Sequence, residues 1–282
     1  MAMNELRYSG GKWLPVLGLV LVAAAVAAFL WLRQSPPPVV EQPVATSPAP
    51  LPDAAMPPGN QAGGVIEPPE SLPPPPVPPE LAAEPLPVLD ESDGAFGEAL
   101  SALMGERAGM LMGSHLVRRI VVIVDNLPGE RLPLSRSPLR PAEGAFRVSD
   151  EGGAMTIAAD NVQRYTPYVA LAEAIPAERL VALYARFYPL FQAAYAELGY
   201  GPDAQFNDRL VAVIDHVVAA PEPGGPIQLV QPKIRYRFAD ARLEALSAGQ
   251  KIMIRMGKEN AGRIKARLRE IRTLLTEAGR QR

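Results

Sequence analysis

The sequence predicts a mainly α fold class: a single-pass N-terminal transmembrane helix, a proline-rich linker, and a helical globular domain with one or two small β-hairpins. Three observations carry that reading. Trp13 to Leu32 is a twenty-residue stretch without a charge. Nineteen of the 32 prolines fall between Ser35 and Leu89. After Asp90 the prolines thin out and apolar residues recur at helical spacing. The implied boundaries are 1–12 for a cytoplasmic N-terminus, 13–32 for the span, 33–89 for a disordered linker and 90–279 for the domain.

Twenty apolar residues are enough for a helix to cross a hydrocarbon core of roughly 30 Å. Trp13 and Trp31 stand at the two ends, where indoles prefer the membrane interface. A cleaved signal peptide is the rival reading, with an apolar region of about 7–15 residues ending at small residues. Here the alanines through Ala28 are followed by Phe29-Leu30-Trp31-Leu32, which favours an uncleaved anchor. Arg7, Lys12 and the amino terminus precede the span, while Arg33 alone follows it before Arg107. That asymmetry favours an N-in, C-out anchor, with the N-terminus in the cytoplasm and everything after Arg33 outside it. The reversed topology would make the chain a cytoplasmic scaffold.

Proline removes a backbone donor and fixes φ, so neither helix nor sheet runs through the linker. Polyproline II, rising about 3.1 Å per residue, is its expected local state. The tract reads as a spacer, with a ligand for proline-reading domains as the alternative. Charge then divides the exported part. Residues 34–106 carry eleven acids and no Lys or Arg, whereas 107–282 carry 25 basic and 18 acidic residues. Residues 233–282 alone hold 14 basic against 5 acidic. The absence of cysteine excludes disulfides, thiolate zinc sites and thiol nucleophiles.

Within the domain, Ser92 or Asp93 would cap a first helix that buries Phe96, Leu100, Leu103 and Met104. The run Ile120–Val124 is β-branched, but Leu116, Ile120, Val124 and Leu127 keep helical spacing, and helix is the reading adopted. Phe146/Val148 and Met155/Ile157 alternate about Gly152-Gly153 as a hairpin. Asp160 and Thr166-Pro167 mark two helix starts, and Pro176 begins the next helix. Asn207 would cap "FNDRLVAVIDHVV", with Leu210, Val211, Ile214, Val217 and Val218 on one face and Asp208, Ala212 and Asp215 on the other. "PKIRYRF" reads as a strand with Ile234, Tyr236 and Phe238 inward and Lys233, Arg235 and Arg237 outward, the three cations roughly 6.6 Å apart. Ser247 would cap a helix ending at Gly257, and a last helix would bury Ile264, Leu268, Ile271 and Leu275.

The helix that Pro176 begins carries Tyr184, Phe187, Tyr188, Phe191 and Tyr195 within one narrow arc, with Pro189 on the polar side. Such a stripe packs a core, or else lines a groove with Tyr165, Tyr168 and Tyr200 beside it, stacking on sugars or prolines.

Chemistry is sparsely signalled. The two histidines, His115 and His216, are far apart in sequence. Asp208 and Asp215 would be about 10.5 Å apart along a helix, too far to share a metal. No zincin, nucleophile-elbow, Walker or dinucleotide pattern occurs. No cofactor and no nucleic-acid partner is expected.

Several segments, "LPVLDESDGAF", "LVRRIVVIVDNLP", "RYTPYVALAEAI", "RFYPLFQAAYAELGY", "FNDRLVAVIDH", "PKIRYRFADARLEALSAGQK" and "RMGKENAGRIKARLREIR", resemble the bacterial family called domain of unknown function 3014. The resemblance runs from about Leu86 to Leu275 and implies an anchor and a proline-rich spacer, with no assigned activity or catalytic residue. The expectation is therefore a non-catalytic binding or scaffold module in the envelope. Its contacts would be Lys233, Arg235 and Arg237, then Arg263, Lys265 and Arg269, toward an anionic cell-wall polymer, lipid headgroups or an envelope protein. A hydrolase or transferase using Asp215, His216 and tyrosines is the alternative.

Overall fold

Apolar stripes at helical spacing can be buried only against one another, and the described residues, 72–82 and 85–280 of the computed structural model, do this with eight α-helices. These are α1 (Ser92–Met104), α2 (Leu116–Asn126), α3 (Thr166–Ala174), α4 (Ala177–Ala196), α5 (Phe206–Val218), α6 (Ala241–Glu244), α7 (Ala248–Arg255) and α8 (Lys258–Arg280). The segment Trp13–Leu32 and the linker before Leu72 lie outside the described residues. Among the described residues no helix is long and apolar enough to cross a membrane.

The rings of α4 are the inside of the molecule. Tyr184, Phe187, Phe191 and Tyr195 are buried. Phe96 of α1 meets Phe187 and Phe191 edge-on, and Phe206 of α5 stacks on Phe191 at 5.7 Å between centroids. α4 stays helical through Pro189, which lies on its exposed side. α8 packs against α3, α4, α5 and α7, burying Ile264, Leu268, Ile271 and Leu275 as their spacing predicts.

The helix ends show where local expectation yields to tertiary contact. Asp93 does not cap α1; its carboxylate accepts from the backbone of His115 and Leu116 and so caps α2. His115 is left-handed at φ 58°, the turn that delivers Leu116 to that carboxylate. Asn207 is not the cap of α5, which begins one residue earlier. The Gln192 side chain accepts from Phe206 N at 2.8 Å instead. Asp208 and Ala212, expected outward, are buried, and Asp215 alone of that trio is exposed. Ser247 does cap α7, accepting from Gln250 N at 3.2 Å. Gly257 turns the chain into α8 at φ +85°, and a Cβ there would lie 2.6 Å from Val162.

Two two-stranded antiparallel hairpins complete the fold. β1 (Val148–Glu151) pairs with β2 (Ala154–Ile157) in the register Val148↔Ile157, and β3 (Leu229–Val230) pairs with β4 (Arg237–Phe238). Leu229, Phe238 and Ile254 form a small second core beneath them. The strand expected over 233–238 is cut to two residues. Residues 232–235 bend, and Ile234 is 59% exposed rather than inward. Six loop residues between β3 and β4 must reverse the chain, so alternation cannot continue through them.

Residues 72–82, counted with the linker on composition, lie against the domain. Leu72 packs on the core, Pro75 is buried, and Pro79–Leu81 forms a 3-10 turn beside α4.

One largely buried ion pair joins α2 to α5: Arg209 Nε is 2.8 Å from Asp125 Oδ1, and the Tyr200 hydroxyl donates to the same carboxylate. Removing one member strands a charge, whereas exposed pairs contribute little. Asp125→Ala should therefore lose about 3–5 kcal/mol of unfolding free energy in urea titration. Asp125→Leu with Arg209→Met should recover most of that loss, and Glu197→Ala, at an exposed pair with Arg118, should stay within about 1 kcal/mol.

Candidate functional site

Helical spacing places Lys251 and Arg255, four residues apart, on one face of α7. That face looks into a pocket of about 170 Å³ whose far walls are Glu130 and Arg131, from the loop after α2, and Arg235 and Arg237 at β4. Five cations and two carboxylates, Glu130 and Glu244, line it. Glu244 is already engaged on several sides. It accepts from Phe238 N at 3.0 Å, and it lies 3.6 Å from Arg237 and 3.8 Å from Lys251. Lys251 Nζ also donates to the Glu244 carbonyl at 2.9 Å. Arg131 faces Glu130 at 3.6 Å on the rim.

Arg255 differs from its neighbours. Its guanidinium lies 5.0 Å from the centre of the Phe238 ring, and among the described residues it forms no ion pair. Burial pushes it below its usual pKa, and Glu244 opposes that shift. Burial likewise lowers Lys251, with Glu244 opposing and Arg255 adding to the fall. Burial and the nearby Arg131 lower Arg235. Like charges crowded in a desolvated site destabilise one another, so an anion entering between them would offset that repulsion. Among the described residues no group of three or more His, Asp or Glu is placed to hold a metal ion.

The pocket unites two of the sequence-predicted cations, Arg235 and Arg237, with three that sequence reasoning missed. The i, i+4 pair Lys251/Arg255 was the available signal. Lys233 is exposed and outside the lining. The second predicted trio is dispersed around α8. Arg263 holds Glu173 with Nε and Nη2. Lys265 is buried, not a surface contact, and donates to the Ala220 carbonyl and to Glu222 at 2.9 Å. Arg269 is exposed away from the pocket.

The tyrosines do not form one wall. Tyr165 and Tyr168 are buried, which removes them from any open groove, and the Tyr168 hydroxyl donates to the Arg140 carbonyl at 2.9 Å. Burial pushes Tyr165, Tyr168 and Tyr188 up to about 12. The Tyr188 hydroxyl lies 3.0 Å from Gln192 Oε1 and 2.9 Å from Gln205 Oε1, and Tyr200 is taken by Asp125.

Asp215 and His216 diverge. Asp215 pairs with Arg272 on the surface. His216 Nε2 lies 2.8 Å from Ser247 Oγ, and its carbonyl accepts from Gln250, so it ties α5 to α7. Neither lines the pocket. Burial, and secondarily Arg209, lowers the His216 pKa below 6.5. The unfolded chain therefore binds this proton first, and stability falls as pH drops below about 6.5. The carboxylates of Glu173, Glu197 and Glu222, held low by cationic partners, act only below about 4.5. The unfolding free energy from urea titrations between pH 7 and pH 5 should decline by at most about 1.4 kcal/mol per pH unit, and His216→Gln should flatten that slope.

A family model described as protein of unknown function (DUF3014) matches residues 116–272. No curated protein and no solved structure matches the chain. The matched stretch opens at the first residue of α2, closes inside α8 and contains every residue that lines the pocket. Covering more than half of the 282 residues, it makes this chain a member of the DUF3014 family of proteins of unknown function.

Proposed function

We propose that this chain is a non-catalytic binding module that captures a carboxylate or phosphate group of an anionic envelope polymer in the Arg255 pocket. The observation that carries this reading is Arg255 itself, set deep among four other cations, stacked on Phe238 and in no ion pair among the described residues. A planar guanidinium held in that way is preorganised for bidentate contact with an oxyanion. Trp13–Leu32 would anchor the module in a bacterial inner membrane, and the basic residues before that span favour a periplasmic domain. The hydrolase or transferase alternative has less to support it, because Asp215 and His216 bond to Arg272 and Ser247 and neither lines the Arg255 pocket.

Titration calorimetry of the full chain with inorganic pyrophosphate and with poly-glutamate should show binding that weakens steeply with salt. Arg255→Met should lower the affinity about 10- to 100-fold, the loss expected for one charge-assisted contact. Lys233→Ala, outside the pocket, should leave it unchanged. Equal binding by wild type and Arg255→Met would remove the pocket from this role.

A further inference from the structure

The end of the proline tract reads LPPPPVPPEL from Leu72 to Leu81. Neither helix nor strand occupies 72–78, and Pro78, at φ −56° and ψ 137°, has polyproline II geometry. Exposure along it repeats every three residues. Pro75 is buried and Leu72, Pro78 and Leu81 are half-buried, whereas Pro73, Pro76 and Pro79 are exposed. Three residues per turn is the period of polyproline II, so one edge of this left-handed helix faces protein and another faces water.

The protein side meets it with two buried polar groups. Asp208 Oδ1 accepts from the Leu72 backbone N–H at 2.7 Å. Asn207 Nδ2 donates to the Leu72 carbonyl at 3.1 Å and lies 3.4 Å from that of Pro73. Asn207 is 0% and Asp208 8% exposed. Asn207 is itself oriented by Tyr184, whose hydroxyl donates to its Oδ1 at 3.3 Å, and by Tyr188, whose oxygen lies against its backbone N–H. Carbonyls are the only backbone hydrogen-bonding groups that a proline run offers, and an amide N–H aimed at two successive ones matches that chemistry. Loss of the segment would take these partners from the Asn207 donor and the Asp208 acceptor and leave both to water or to another segment of the same chemistry.

We propose that the groove between α4 and α5, headed by Asn207 and Asp208, is a recognition site for a polyproline II segment, and that the chain's own Leu72–Leu81 occupies it in cis. The strap sets where the tether ends, 17 residues before Leu89. This reading is independent of the anion pocket, which lies on other elements.

The test uses the full chain in detergent, native and with residues 72–78 replaced by Gly and Ser, and a fluorescent peptide SLPPPPVPPELA. By fluorescence anisotropy the replaced chain should bind the peptide at least 10-fold more tightly than the native chain does. Adding Asn207→Ala to the replaced chain should abolish that binding. No binding by the replaced chain, or equal binding by both chains, would overturn the proposal. Hydrogen exchange at the Leu72 amide of the native chain gives a second reading that needs no segment swap. At least 10-fold protection, lost in Asp208→Ala, is expected, and exchange at the unprotected rate overturns the strap. Protection that rises with protein concentration would assign the strap to a second copy and overturn the cis arrangement.

Discussion

The burial of one aromatic stripe governs the rest of this fold. Tyr184, Phe187, Phe191 and Tyr195 project from a narrow arc of α4, and each ring removes on the order of 150–250 Å² from water when covered. No single neighbour covers that arc. α1 supplies Phe96, α5 supplies Phe206, and α8 supplies aliphatic side chains. α8 then carries the consequence outward, because Gly257 fixes its angle to α7 and α7 bears Lys251 and Arg255. Gly249 lets α7 approach the end of α2, where Leu127 and Gly129 accept its first backbone N–H groups. The pocket is therefore positioned by the packing beneath it, although nothing aromatic from α4 lines it.

Most helices were legible because their apolar residues repeat with the right period and their ends carry Pro, Ser or Gly. α2 shows how far that holds: its β-branched run argues for strand, yet the spacing of Leu116, Ile120 and Val124 describes the buried face. What stayed hidden depends on contacts between distant residues. Asp93 caps a helix 23 residues onward, and Gln192 of α4 satisfies the start of α5. Neither pairing leaves a local pattern. The Lys233–Arg237 alternation was real in the sequence and misleading in space, because a short hairpin loop consumes those residues and delivers only Arg235 and Arg237 to the pocket.

The basic excess of the C-terminal fifty residues illustrates why net charge locates no site by itself. Arg263 is neutralised by Glu173, Arg272 by Asp215 and Arg267 by Glu270. Lys265 closes the end of α5 through the Ala220 carbonyl. Exposed pairs of this kind contribute about 0–1 kcal/mol each, but they leave little uncompensated field on the α8 surface. The imbalance survives where carboxylates are outnumbered and desolvation is strong, around Arg255, with Glu244 already shared among Arg237, Lys251 and Phe238 N–H.

Choosing tyrosine over phenylalanine on α4 has its own physical reason. A buried hydroxyl needs a partner, and those of Tyr184 and Tyr188 find theirs at the first turn of α5. The rings thus serve the core while their oxygens hold Asn207 in the orientation that reaches the Leu72 carbonyl. Phenylalanine at Tyr184 would preserve the apolar volume and leave Asn207 Oδ1 without that donor, loosening the amide that grips the proline segment. The aromatic helix is neither a pure core element nor an open groove. Its inner edge packs the domain, and its polar tips set a place where the proline tract is held by side-chain hydrogen bonds.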